Sequence, residues 1–128
     1  MRAVDTNIVV RYLTGDHPEQ AARARAVFTT GQVFLSTTVL LESDWVLRSA
    51  YGFAATEVAA ALRALAGLPG VTVENPALLG EALDRTARGM DFADSLHLGA
   101  AAGCESMLTF DQRFIRAADG APVPVREP

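Results

Sequence analysis

Hydrophobic and polar positions along the chain alternate between two periods. A short apolar segment, Ala3-Val4, stops at Asp5, after which Ile8, Val9, Tyr12 and Leu13 recur at helical spacing. This predicts strand, turn and helix in that order. The group Gly15-Asp16-His17-Pro18 breaks the pattern, with His17 as a surface turn residue. Pro18 suits the first turn of a second helix running to about Thr30, with Ala21, Ala24, Val27 and Phe28 as its apolar stripe. Gln32–Leu35 reads as a second strand. A helix capped by Ser36 or Thr37 follows and reaches Tyr51 before Gly52.

Helical and strand-like periods go on alternating through the second half. An Ala/Leu-rich helix is expected over Ala55–Ala66, a third strand over Val71–Val73, and a helix opened by Asn75-Pro76 and closed by Gly89. A further helix begins in Asp91-Phe92-Ala93-Asp94 and runs to about Ala102, with Asp91 as its cap. Met107-Leu108-Thr109 is a fourth strand, followed by Phe110-Asp111 and a short helical turn through Ile115. Val123 and Val125 alternate with prolines, which suits only an edge strand. Strands separated by helices imply a parallel sheet with right-handed crossovers, hence an α/β fold: a three-layer α/β/α sandwich around a short parallel sheet. At 128 residues, with no linker or repeat, the chain is expected to form a single domain over 1–128.

This topology directs acids to one edge. Asp5 and Asp111 each follow a strand directly, at its carboxyl end, where ligands gather in open parallel sheets. Glu42 lies early in the helix leaving the second strand. Asp94 lies in the first turn of a helix that leads into the fourth strand, and so starts at that strand's carboxyl end. Each acid also has a local structural use: Asp5, Asp94 and Asp111 suit helix caps or first turns. Glu42, flanked by Val39, Trp45 and Val46 at helical spacing, is expected in or beside the apolar stripe, its structural alternative being a Glu at the stripe's edge that reaches solvent, whereas Asp44 is expected to face water.

Composition narrows the chemistry. Half the residues are hydrophobic, yet no apolar run is long enough to cross a bilayer. The single cysteine, Cys104, lies among small residues as an expected buried filler. With no signal-peptide pattern, it points to the cytoplasm. His17 and His97 stand far apart with no cysteine pair, which excludes a structural zinc site. A net charge of −4 argues against a broad basic face, so contact with nucleic acid must be local or depend on metal ions or oligomerisation. All 11 basic residues are arginine. The absence of lysine removes Walker-A nucleotide binding, Schiff-base chemistry and phosphotransfer sites that place a Lys beside their acids. An Asp-nucleophile phosphatase also lacks its second Asp, because Asn7 stands there.

Four converging carboxylates repel one another. Two unit charges about 4 Å apart do so by roughly 4 kcal/mol at an effective dielectric of about 20. A divalent cation relieves this, and an all-oxygen donor set selects Mg²⁺ or Mn²⁺. Such ions serve phosphoryl chemistry by lowering the pKa of a bound water and stabilising the leaving oxygen.

The ordered set Val4-Asp5-Thr6-Asn7, Glu42 within Leu-Leu-Glu, Phe92-Ala93-Asp94-Ser95-Leu96-His97-Leu98 and Leu108-Thr109-Phe110-Asp111 resembles the PIN-domain nucleases, most closely the VapC toxins of bacterial toxin–antitoxin pairs. The resemblance spans nearly the whole chain. It implies an Mg²⁺- or Mn²⁺-dependent endoribonuclease with Asp5, Glu42, Asp94 and Asp111 as its acids, supported by Thr6, Asn7 and Thr109. It further implies an RNA substrate, a homodimer and a cognate VapB-like antitoxin that blocks the site. A non-catalytic RNA-binding or assembly module of the same fold is the competing expectation. Arg11, Arg48, Arg88 and Arg113 are candidates for meeting RNA phosphates.

Overall fold

In a computed structural model that describes residues 1–128, the chain is α/β, with seven helices and short parallel strands. It divides into two compact units, Met1–Pro76 and Ala77–Pro128.

The first unit opens with β1 (Arg2–Ala3) and α1 (Thr6–Thr14). Asp5 caps α1 by accepting the Thr6 N–H at 2.8 Å, and Gly15 ends it in the left-handed conformation at φ 65°, where an L side chain would be strained. α2 (Pro18–Thr29) starts on a proline, as the sequence suggests, and His17 caps it by accepting the Gln20 N–H. There follow β2 (Val33–Leu35), α3 (Thr37–Ser49), α4 (Ala55–Ala66) and β3 (Val71–Val73). The strands form one parallel sheet in the order β1-β2-β3, pairing Ala3 with Phe34 and Phe34 with Thr72. Only the central strand is deeply covered, with Val33 and Leu35 fully buried. α1 packs on α2, where the Tyr12 and Phe28 rings stand 4.6 Å apart, and also on α3. Because the strands are parallel, their carboxyl ends share an edge. Asp5, Ser36 and Glu74 emerge there, two residues or fewer beyond β1, β2 and β3.

In the second unit, α5 (Pro76–Ala87, its first residue at the boundary) and α6 (Phe92–Ala100) precede β4 (Met107–Leu108), α7 (Gln112–Ala117) and β5 (Val125–Arg126). β4 and β5 pair in parallel over a small core of Met90, Leu98, Phe114, Ala118 and Val123. The proline-flanked segment is the expected edge strand: Met107 and Thr109 donate to the carbonyls of Pro124 and Arg126, so the missing proline N–H groups are not needed on that side. Asp91 caps α6, as expected, by accepting the Asp94 N–H. No helix is long and apolar enough to cross a membrane.

Three expectations are corrected. α6 stops at Ala100 rather than about Ala102, and the chain turns through Gly103 at φ 86°, leaving Cys104 exposed and unpaired instead of buried. The buried face of α3 is Leu40, Ser43, Asp44 and Leu47. Glu42 accordingly takes the solvent-reaching alternative beside the packed stripe, on an exposed face where Trp45 is 62% accessible. Asp44, expected in water, is 1% accessible. It tolerates burial because Arg48, one turn on, grips it with Nε at 3.0 Å from Oδ1 and Nη2 at 2.8 Å from Oδ2.

Candidate functional site

Asp5 is delivered by β1 and Glu42 by the helix that β2 feeds. Thr6 joins them. Its backbone N–H donates to Asp5 Oδ1 at 2.8 Å, and its hydroxyl, nearly buried, donates to Glu42 Oε1 at 2.5 Å. Each carboxylate keeps one oxygen that no protein hydrogen bond uses. The two acids line an open groove of about 470 Å³. One wall comes from α1, where Asn7, Val10 and Arg11 share a face at helical spacing. The other comes from α3, where Glu42, Val46 and the capping residue Ala50 recur every fourth residue, with Tyr51 next in the chain.

In the second unit, Asp94 sits half-buried in the first turn of α6. Its carboxyl is pushed above the ordinary aspartate value of 3.8, mainly by burial and further by the negative charges of Asp91 and Asp111, against a small opposing pull from His97. Asp111 caps α7 by accepting from the backbone N–H groups of Arg113 at 2.9 Å and Phe114 at 3.3 Å. The Thr109 hydroxyl in turn accepts the Asp111 N–H at 3.0 Å and fixes that turn. Thr6 and Thr109, both singled out in the sequence, thus each hold an acid or its backbone in place.

Within neither unit do three Asp, Glu, His or Cys side chains gather as a complete metal cage would require. The donors nevertheless suit a hard divalent cation. In the first unit the carboxylates Asp5 and Glu42 share a groove with one unengaged oxygen apiece. In the second, taken by itself, Asp94 is raised first by burial and then by the negative charges of Asp91 and Asp111, which a cation would offset.

Two residues escaped the sequence reading. Glu74 follows β3 as Asp5 follows β1, so topology alone could have flagged it, but its carboxylate accepts the Thr37 N–H at 3.0 Å and serves the start of α3. Tyr51 enters the groove from beyond the end of α3. Its hydroxyl donates to Asp16 Oδ2 at 2.6 Å and accepts from Arg11 Nη1 at 3.1 Å, a three-residue arrangement no local pattern announces. The Tyr51 and Thr14 hydroxyls, with a lesser contribution from Arg11, hold the Asp16 carboxyl below its ordinary value.

No curated protein and no solved structure matches the chain. A family model does, the one described as PIN domain, over residues 2–120.

Proposed function

Because the chain belongs to the PIN domain family, a nuclease fold, we propose that it is a metal-dependent endoribonuclease and the toxin of a toxin–antitoxin pair. The observation that carries this reading is the Thr6 bridge, which holds Asp5 and Glu42 at one open groove within the region the family match covers. No observation favours a non-catalytic module of the same fold.

The proposed acids are Asp5, Glu42, Asp94 and Asp111, which would hold Mg²⁺ or Mn²⁺ through oxygen atoms alone. Such an ion, once bound, supplies a water of lowered pKa and a counter-charge for the leaving oxygen of a phosphodiester. The chain's own residues do the positioning. Thr6 orients Glu42 through its hydroxyl and Asp5 through its N–H. Thr109 steadies the turn that presents Asp111, and Asn7 offers an amide at the groove wall.

RNA is the proposed substrate, with a VapB-like antitoxin and a second copy of the chain as proposed protein partners, in the cytoplasm. Trp45 at 62% and Phe53 at 41% accessibility give the first unit large exposed apolar side chains, which suits a protein partner.

The test is cleavage of total RNA by purified protein in Mg²⁺ or Mn²⁺. Cutting is expected, with loss on chelation and loss in a folded Asp5→Asn variant. Undiminished cutting by either the variant or the metal-stripped protein overturns the reading.

A further inference from the structure

A polyanion approaching Asp5 and Glu42 meets repulsion from the same carboxylates that are to act on it, and a chain of net charge −4 has no broad basic face to offset this. Any cation that anchors the substrate backbone must therefore stand close to the acids and be fixed in place. The first unit contains such a group. Arg11 and Asn7 line the acid groove, and they also line a second open recess of about 270 Å³ whose other walls include Gln20 and Arg23. Arg11 is thus the partition between two adjoining hollows, one acidic and one basic.

Its guanidinium is held from several sides. Nε donates to Gln20 Oε1 at 2.8 Å, while Nη1 donates to the Tyr51 hydroxyl at 3.1 Å and lies 3.3 Å from Asp16 Oδ1. Asp16 does not depend on Arg11 alone, since the hydroxyls of Tyr51 and Thr14 donate to it at 2.6 and 2.9 Å. Nη2 makes no hydrogen bond in the protein. A planar fork fixed at two nitrogens and open at the third loses little conformational freedom on meeting a phosphate oxygen. Arg23, one helical turn beyond Gln20 along α2, is exposed and forms neither a hydrogen bond nor an ion pair.

We propose that Asn7, Arg11 and Arg23 form a track for the phosphates of single-stranded RNA, running from the acid groove into the neighbouring recess, with Arg11 taking the phosphate beside the one to be cut. The proposal rests on the nuclease reading for its substrate, but its test reads binding and not cleavage. Phosphate contacts of this kind position the strand without reading its sequence.

The experiment measures binding of a fluorescently labelled single-stranded oligoribonucleotide, in Mg²⁺, to the full chain carrying Asp5→Asn, over a series of salt concentrations. Arg11→Gln and Arg23→Gln are added separately to that background, with Arg25→Gln, also exposed on α2 but outside both hollows, as the control. Each track variant is expected to weaken binding by about five- to tenfold and to lower the slope of log affinity against log salt by about 0.7, the loss of one phosphate contact on a single strand. Arg25→Gln is expected to change neither. Thermal melting accompanies each measurement, and Arg23→Gln, which removes no internal bond, keeps the test decisive if Arg11→Gln unfolds. Equal losses for Arg25 and Arg23 variants, or an unchanged slope for Arg23→Gln, overturn the track. Failure of the wild-type protein to cut RNA overturns the nuclease reading and leaves the binding result to be judged by itself.

Discussion

The Thr6 hydroxyl donates to Glu42 Oε1 at 2.5 Å, tying the first residue of α1 to the second turn of α3. The same residue's N–H holds Asp5, so one threonine sets the spacing of two acids that stand 37 positions apart in the chain. Thr6→Val keeps the shape and the N–H but deletes the hydroxyl. Groups that orient a metal's ligands are worth about 10- to 100-fold in activity, so RNA cleavage is expected to fall in that range. Stability should change by about 1 kcal/mol or less, because Glu42 is exposed and regains water. Thr6→Ser, which restores the donor, should recover most of the rate. Full activity in Thr6→Val would show that Glu42 needs no such partner.

Asp94 gives a pH dependence of defined sign. Its folded-state value lies above the ordinary 3.8, through burial first and the charges of Asp91 and Asp111 after it. The folded state therefore favours the protonated acid. Stability associated with Asp94 is fully present below pH 3.8 and is lost as pH rises through the raised value. Asp94→Asn removes that loss. In metal-free buffer the variant is expected to melt above the wild type at about pH 7 and level with it at about pH 3. Mn²⁺ at about millimolar concentration should raise the wild-type midpoint and have a much smaller effect on the variant. A variant that melts below the wild type at neutral pH contradicts the like-charge strain.

The order of elements was legible because each carries its own local signal. Pro18 and Pro76 open helices, Gly15 closes one, and Asp5, Asp91 and Asp111 cap where their neighbours demand. The parallel pairing of β1, β2 and β3 follows from the intervening helices, and with it the arrival of Asp5 and of the Glu42 helix at one edge. Which face of α3 packs was not legible. Ser43 and Asp44 occupy the buried face while Trp45 is left outside, so hydrophobicity pointed the wrong way. The deciding facts are tertiary: Arg48 satisfies Asp44, and Thr6, from another helix, satisfies Glu42. The Arg11–Tyr51–Asp16 cluster was hidden for the same reason, being assembled from α1, the turn after it and the end of α3.

Gly80 lies in the interior of α5, and a methyl group placed there meets no atom within 4 Å. Nothing in the local geometry requires a glycine. Alanine loses less backbone freedom on folding, so Gly80→Ala is expected to stabilise the protein by about 0.5–1 kcal/mol. Urea unfolding should show a higher midpoint at unchanged slope. Because the added methyl touches no other atom, RNA cleavage should be unaffected. A lower midpoint would mean that α5 needs that opening for a neighbour to move.

Asp44 and Arg48 test the account of α3 most severely. The Asp44 side chain is 2% accessible and accepts three contacts from one guanidinium, itself 29% accessible. Arg48→Ala leaves the carboxylate buried without that partner, a situation that costs about 3–5 kcal/mol. For a chain of this size that approaches the whole margin of stability, so a strongly lowered urea midpoint or outright unfolding is expected. Replacing both, as Asp44→Leu with Arg48→Met, removes the charge together with its partner. Buried pairs exchanged for apolar groups of similar volume are often neutral or better, and the double variant should therefore be more stable than Arg48→Ala. An Arg48→Ala midpoint no lower than that of Arg25→Ala, an exposed arginine, would mean that Asp44 draws its support from elsewhere.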